Sequence, residues 1–199
     1  TIGCNLKCPG CVSEVLVRNP DDMGTGLRYQ SAKEIIDEAE KNDCKGIVFC
    51  LNEPTVSLPS FLSVAKLAKE KGMFVGCSSN GYFSEHTLNL LIPVLDMINI
   101  GLKGKDEKYL RACGIIDDSV VIQNIKKLVQ AGVHVETALM HAKGQENDLI
   151  TQAKEVVSIS EKIPIQIMRC MAFGDLGQEF EPSIPESELL CDKIREYAS

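Results

Sequence analysis

Gly46-Ile-Val-Phe-Cys50, a stripe of Phe61, Val64, Ala65 and Ala68, a stop at Gly72 and then Met73-Phe-Val-Gly-Cys77 follow one another in the chain. The two short runs are apolar throughout, as in strands of a parallel sheet covered by other elements. The stripe between them repeats at i, i+3, i+4 and i+7, the spacing of one helix face. Gly72 supplies the left-handed residue at which that helix stops. The stretch therefore reads as a strand–helix–strand unit, and its parallel pairing decides the fold class.

The same alternation extends outward. Met97-Ile-Asn-Ile-Gly101, Val133-His-Val-Glu-Thr137 and Ile163-Pro-Ile-Gln-Ile-Met168 repeat the strand pattern, so the five runs begin at 46, 73, 97, 133 and 163. That spacing is close to the roughly 30 residues of a βα unit. Between them, Ser31-Ala-Lys-Glu34 reads as a capping box opening Ile35 to Lys41, and Ser183-Ile-Pro-Glu186 opens the last helix. Ile122, Ile125, Leu128 and Val129 form another stripe before Gly132. If Thr1 to Gly3 ends a strand whose beginning is absent, the count becomes six. The expectation is an α/β fold, a partial (β/α)6 barrel of parallel strands with the first strand largely missing. Ligands then belong at the carboxyl ends of the strands. A flat doubly wound sheet has the same periodicity and stays open as an alternative. No repeat, low-complexity tract or linker divides residues 1–199, which read as one domain. The start at Thr1 suggests the body of a longer protein and leaves a signal peptide unjudged.

Composition narrows the function. The 199 residues carry 21 Lys plus Arg against 28 Asp plus Glu, a formal charge of -7, with 44% hydrophobic residues and no Trp. Such a chain suits a compact soluble domain and excludes fibrous and disordered classes. The acidic balance, without a basic run longer than a pair, argues against a nucleic-acid or anionic-membrane partner. Leu88 to Leu102, the most apolar window, is broken by Asp96 and Asn99 and is short of the roughly 20 apolar residues of a membrane span. Small molecules or another protein remain. Nine Cys, an odd number without regular spacing, fit a reducing cytoplasm and a metal centre better than a disulfide framework.

Cys4-Asn-Leu-Lys-Cys8-Pro-Gly-Cys11 sets three thiols at spacings x3 and x2 on one loop. A structural zinc site requires a fourth ligand, and no paired Cys or His lies nearby in sequence. Three thiolates on a cubane iron–sulfur cluster leave one iron open, whereas electron-transfer clusters close with four. The spacing favours a reactive cluster, with a zinc knuckle or a chance group of Cys as the alternative. Cys50, Cys77, Cys113, Cys170 and Cys191 lack CxxC pairing and read mostly as buried thiols.

The CxxxCxxC loop resembles that of the radical S-adenosylmethionine enzymes, and the chain resembles their pyruvate formate-lyase activating-enzyme branch. The likeness rests also on Phe49-Cys-Leu-Asn-Glu-Pro-Thr55, Ser78-Ser-Asn-Gly-Tyr82, Leu95-Asp-Met-Ile-Asn-Ile-Gly-Leu-Lys-Gly104 and the YxxxCG run from Tyr109 to Gly114, and runs in order from about Thr1 to Arg169. The resemblance implies a [4Fe-4S] cluster held by Cys4, Cys8 and Cys11, with the open iron chelated by the methionine moiety of S-adenosylmethionine. Reductive cleavage of that cofactor then gives a 5′-deoxyadenosyl radical that abstracts hydrogen. Gly10 would let the loop approach the cofactor, Asn52 and Glu53 would meet the methionine ammonium, and Ser79, Asn80 and Lys103 the ribose and carboxylate. A low-potential donor such as flavodoxin or ferredoxin is implied as electron source.

Departures bear on the substrate. Gly101 stands where the branch usually has Asp, which puts a bound monovalent cation in doubt. His141-Ala-Lys-Gly-Gln-Glu-Asn147 replaces a shorter, less polar stretch, and Arg169-Cys-Met-Ala-Phe-Gly-Asp175 lacks the usual His or Pro. His141, just past a strand's carboxyl end, is the candidate substrate contact. His86 and His134 read as a helix-face and a strand residue. One functional class is a radical enzyme, either a glycyl-radical activase whose barrel gap admits a partner loop or an enzyme of small-molecule or cofactor-maturation chemistry. In the latter, the polar segment and the tail from Gly174 to Pro185 close the gap. A non-catalytic iron–sulfur or zinc module is the second class.

Overall fold

The computed structural model describes residues 2–17, 26–172 and 176–198. Short α1 (Glu14–Val17) follows the cysteine loop, and then strands and helices alternate. They are α2 (Ala32–Lys41), β1 (Gly46–Phe49), α3 (Leu58–Glu70), β2 (Phe74–Ser79), α4 (Glu85–Leu91), β3 (Met97–Leu102), α5 (Glu107–Cys113), α6 (Ser119–Gln130), β4 (His134–His141), α7 (Glu146–Ile159), β5 (Ile165–Arg169) and α8 (Ile184–Arg195). Both expected capping boxes form, Ser31 with Glu34 and Ser183 with Glu186.

All strands pair in parallel in the order β1-β2-β3-β4-β5. A doubly wound sheet reverses its strand order at a switch point, and this one never does. Winding in one direction is that of a barrel, here open because β1 and β5 do not pair. Registered pairs confirm that the helices cover one face. Val75, Cys77, Ile98, Ile100, Leu102, Val135 and Leu139 share that face and are buried against Phe61, Val64, Ala65 and Ala68 of α3, Ile125 and Leu128 of α6, Leu149 and Val156 of α7 and Leu190 of α8. On the opposite face Val48 and Phe74 remain 61% and 65% exposed, with Met97 and Met168 also uncovered.

Two details correct the sequence reading. Five strands stand among the described residues, not six: Thr1 lies outside them and Gly3 joins no strand, although its carbonyl accepts the Glu53 N–H at 3.1 Å beside the end of β1. The α6 stripe is also rotated, burying Val121 and Asn124 while Ile122 and Val129 are only partly covered. Asn124 is accommodated because its amide donates to the Gly81 and Phe83 carbonyls, both at 2.9 Å.

Candidate cluster and cofactor site

The carboxyl ends of β1 and β2 are joined by one buried carboxylate. Leu51 takes a φ of 79°, a left-handed conformation that non-glycine residues rarely adopt and that marks a built turn. Beyond it, Glu53 accepts hydrogen bonds from the Ser79 hydroxyl at 3.0 Å, the Asn80 N–H at 2.8 Å, the Thr55 hydroxyl at 2.7 Å and the Thr55 N–H at 3.2 Å. Four donors fill the roughly four acceptor sites of a carboxylate, and Glu53 is only 2% exposed. Glu53 therefore braces the ends of β1 and β2, holding the Ser79 hydroxyl and the Asn80 backbone in place. Asn52, also buried, donates to the Gly3 and Glu53 carbonyls.

Asn80 ties this brace to the cysteine loop. Its side-chain amide donates to Asn5 Oδ1 at 2.7 Å and lies 3.6 Å from Cys4 Sγ, while its Oδ1 accepts the Tyr82 N–H. The Leu6 N–H also points at Cys4 Sγ, at 3.3 Å. Burial, with the charges of Glu53 and Cys8 nearby, pushes the Cys4 thiol up, and these two donors act in the opposite direction. Farther along, the Lys7 N–H meets the Cys113 carbonyl at 2.8 Å. Cys4, Cys8 and Cys11 are all half-buried. Gly10 sits at φ 67°, but a Cβ there would lie 2.8 Å from Leu176. Its missing side chain makes room for Leu176.

At the end of β3 the Lys103 Nζ folds back to 3.2 Å from where a Gly101 Cβ would stand, so the ammonium and the departure at 101 share one space. Gln152 of α7 grips the next turn, donating to the Gly104 carbonyl at 2.9 Å and accepting its N–H at 3.2 Å. His141 needs a correction. Alternation along β4 turns it to the helix-covered face, where it is fully buried, with Nδ1 2.9 Å from Ser187 Oγ and Nε2 3.3 Å from Glu146 Oε1. Both ring nitrogens are taken, and the residue joins β4 to α7 and α8. His134 begins β4, exposed, beside Glu136 at 3.2 Å, and His86 is exposed on α4.

The tail after β5 also reaches this end of the sheet. Phe180 accepts the Lys143 N–H at 2.9 Å, and Arg169 donates to Glu181 at 2.7 Å and to the Pro182 carbonyl at 3.0 Å. Residues 173–175, part of the expected closing segment, lie outside the described residues. A cleft of about 730 Å³ between the start of β5 and α8 opens at the other end of that strand and contains no candidate site residue.

Three half-buried thiols, two of them on one loop turn with Gly and Pro and one already receiving two donors, are a donor set that fits an iron–sulfur cluster. Among the described residues no three His, Cys, Asp or Glu side chains converge closely enough to hold a single ion. Cubane thiolates sit on separate irons and require no such convergence.

The structure thus combines a singly wound, open parallel sheet with a three-cysteine loop docked on the ends of its first strands. Residues 1–152 match the family model of the Radical SAM superfamily, and the chain belongs to that superfamily. Its cofactors are accordingly a [4Fe-4S] cluster and S-adenosylmethionine. The chain is 31% identical over 134 residues to an uncharacterized protein of Methanocaldococcus jannaschii, covering 67% of this chain and 39% of that one. It is 29% identical over 123 residues to a putative glycyl-radical enzyme activating enzyme of the same organism, covering 61% and 49%. The solved SuiB of Streptococcus suis bound to S-adenosylmethionine has the same fold, with a TM-score of 0.77 at 16% identity over 99% of this chain and 45% of that one. SuiB bound to its precursor peptide SuiA matches with a TM-score of 0.76 at 14% identity, over 99% and 44%. The chain thus spans half or less of these proteins. Among the described residues no helix is long and apolar enough to cross a membrane.

Proposed function

We propose that residues 1–199 are a single radical S-adenosylmethionine core domain that generates a radical on a protein substrate, as an activase of a glycyl radical enzyme. The observation that carries this reading is the open sheet, whose helix-free face leaves Val48, Phe74, Met97 and Met168 uncovered for a partner's loop. The likenesses to an activating enzyme and to a peptide-bound protein support a polypeptide substrate.

Cys4, Cys8 and Cys11 would hold the cluster. Asn52, Ser79, Asn80 and Lys103 would line S-adenosylmethionine, with Glu53 fixing the hydroxyl of Ser79 and the backbone of Asn80, and Gly10 letting the loop turn under the tail. Bound together, the two cofactors supply reductive cleavage of a sulfur–carbon bond and the means to abstract a hydrogen atom. The chain's own work is to hold the ends of β1, β2 and β3 at fixed separations and to place the Lys103 ammonium where a carboxylate can pair with it. A flavodoxin or ferredoxin is the fitting electron donor, and nine free cysteines suit a reducing cytoplasm.

A second reading has its own observation. Leu176 against Gly10, with the tail fixed to Lys143 and Arg169, carries the chain across the mouth, as suits a small-molecule or cofactor-maturation substrate. Anaerobic reconstitution tests the common part: about four irons per chain, lost in Cys4→Ala, Cys8→Ala or Cys11→Ala, and slow release of 5′-deoxyadenosine with dithionite. Stoichiometric metal without cofactor cleavage would instead select a non-catalytic iron–sulfur or zinc module. An electron paramagnetic resonance signal on a copurified polypeptide selects the activase, and cleavage without any such signal selects the second reading.

A further inference from the structure

Asn80 follows β2 directly, is buried, and has its side-chain amide engaged at both ends. The side-chain Oδ1 accepts the Tyr82 N–H at 2.8 Å. That bond decides which end of the amide is the oxygen, because a backbone N–H can meet only an acceptor. The NH2 end therefore faces the cysteine loop, where its two hydrogens find two acceptors, Asn5 Oδ1 at 2.7 Å and Cys4 Sγ at 3.6 Å. Asn5 returns the grip by donating to the Tyr82 carbonyl at 2.7 Å, so the clasp between the loop and the turn after β2 runs both ways. The Leu6 N–H gives Cys4 Sγ a second donor, at 3.3 Å, but from the loop's own backbone. Asn80 reaches the same sulfur from a different element and through a side chain.

We infer that Asn80 is a positioning residue for the iron–sulfur site, aiming an amide hydrogen at the Cys4 sulfur and thereby raising the reduction potential of the cluster. This rests on the reading of Cys4 as a cluster ligand and goes beyond the cofactor contact proposed for Asn80. A ligating sulfur becomes more negative when the cluster is reduced, and a donor aimed at it favours that state. The donor is held from three sides, by Glu53 on the Asn80 backbone N–H at 2.8 Å, by Tyr82 on Oδ1 and by Asn5 on the other amide hydrogen. Burial keeps water from taking its place.

The test is a dye-mediated redox titration of the reconstituted protein without S-adenosylmethionine, followed by electron paramagnetic resonance, on wild type, Asn80→Ala, Asn80→Asp and Asn5→Ala. Asn80→Ala should retain its iron and show a midpoint shifted to more negative potential. Asn80→Asp keeps the shape but puts a charged acceptor where the donor was, and should shift farther in the same direction. Asn5→Ala opens the clasp and keeps the donor, so its shift should be smaller than either. An unchanged midpoint in both Asn80 variants at full iron content overturns the proposal. A shift in Asn5→Ala as large as that in Asn80→Ala also overturns it, because placement of the loop would then set the potential. Loss of iron from both Asn80 variants does the same, since the residue would be needed for assembly. Cys4→Ala is read separately: full iron content there would sink the ligand assignment itself, whatever Asn80 does.

Discussion

The Ser79 hydroxyl sits 3.0 Å from both oxygens of the Glu53 carboxylate, across the ends of two neighbouring strands. Alanine at 53 would leave buried donors of Ser79, Thr55 and Asn80 without an acceptor, at a cost of about 3 kcal/mol. Glu53→Ala should lower the urea midpoint of the apo chain and weaken S-adenosylmethionine binding while leaving iron content intact. An unchanged urea midpoint would show that the carboxylate braces nothing.

Gly10 and Leu176 make the next test. Alanine at 10 adds the cost of a left-handed backbone, about 1 kcal/mol, to a contact of 2.8 Å with Leu176. Gly10→Ala should destabilise the chain, and Leu176→Ala in the same molecule should recover the steric share but not the backbone share. Strict additivity of the two changes in a double-mutant cycle would remove the contact from the account.

The sheet was legible because its strands are apolar runs and its helices carry complete stripes; Phe61, Val64, Ala65 and Ala68 are all buried as their spacing requires. What sequence alone could not decide between a barrel and a flat sheet was strand order, which lies in long-range pairing rather than in period. The cysteine loop was legible from spacing. The bracing of Glu53 by Ser79, Asn80 and Thr55 was not legible, because nothing local shows that all three aim at it. Asn124 and Gln152 escaped notice as polar residues on helices. The signal was there in Asn124, which falls at helical spacing on the same face as Val121, Ile125 and Leu128. His141 was assigned by its place past a strand's expected end, yet β4 runs on from Thr137 to His141 itself, and alternation turned the ring to the helices.

Acid should loosen the α8 cap only at low pH. Hydrogen bonds from the Ser183 N–H and hydroxyl, then the Lys143 ammonium, hold the Glu186 carboxyl down at about 2, against an ordinary value of 4.5. A depressed carboxyl contributes stability that is full above about 4.5 and lost as pH falls through about 2. The group is exposed, so the effect is small. Wild type should melt above Glu186→Gln at pH 7, with the gap closing between these two values. A gap that persists at the acid end would assign it to packing of α8 instead.

His141 separates a strut from a substrate contact. Its ring joins Ser187 on α8 and Glu146 on α7 to the end of β4, and its removal leaves a buried void with a hydroxyl and a carboxylate short of a partner. Partial burial raises the Glu146 carboxyl, but its own backbone N–H, that of Gly144 and the His141 ring together hold it below its ordinary value. His141→Ala should therefore cost about 2 to 3 kcal/mol, and pairing it with Ser187→Ala should cost less than the sum of the two. Dithionite-driven release of 5′-deoxyadenosine from the reconstituted variant should stay near wild type at temperatures where it remains folded, since the ring lies on the side of the sheet away from the open face. A variant with wild-type stability but defective hydrogen abstraction from substrate would return His141 to the mouth of the barrel.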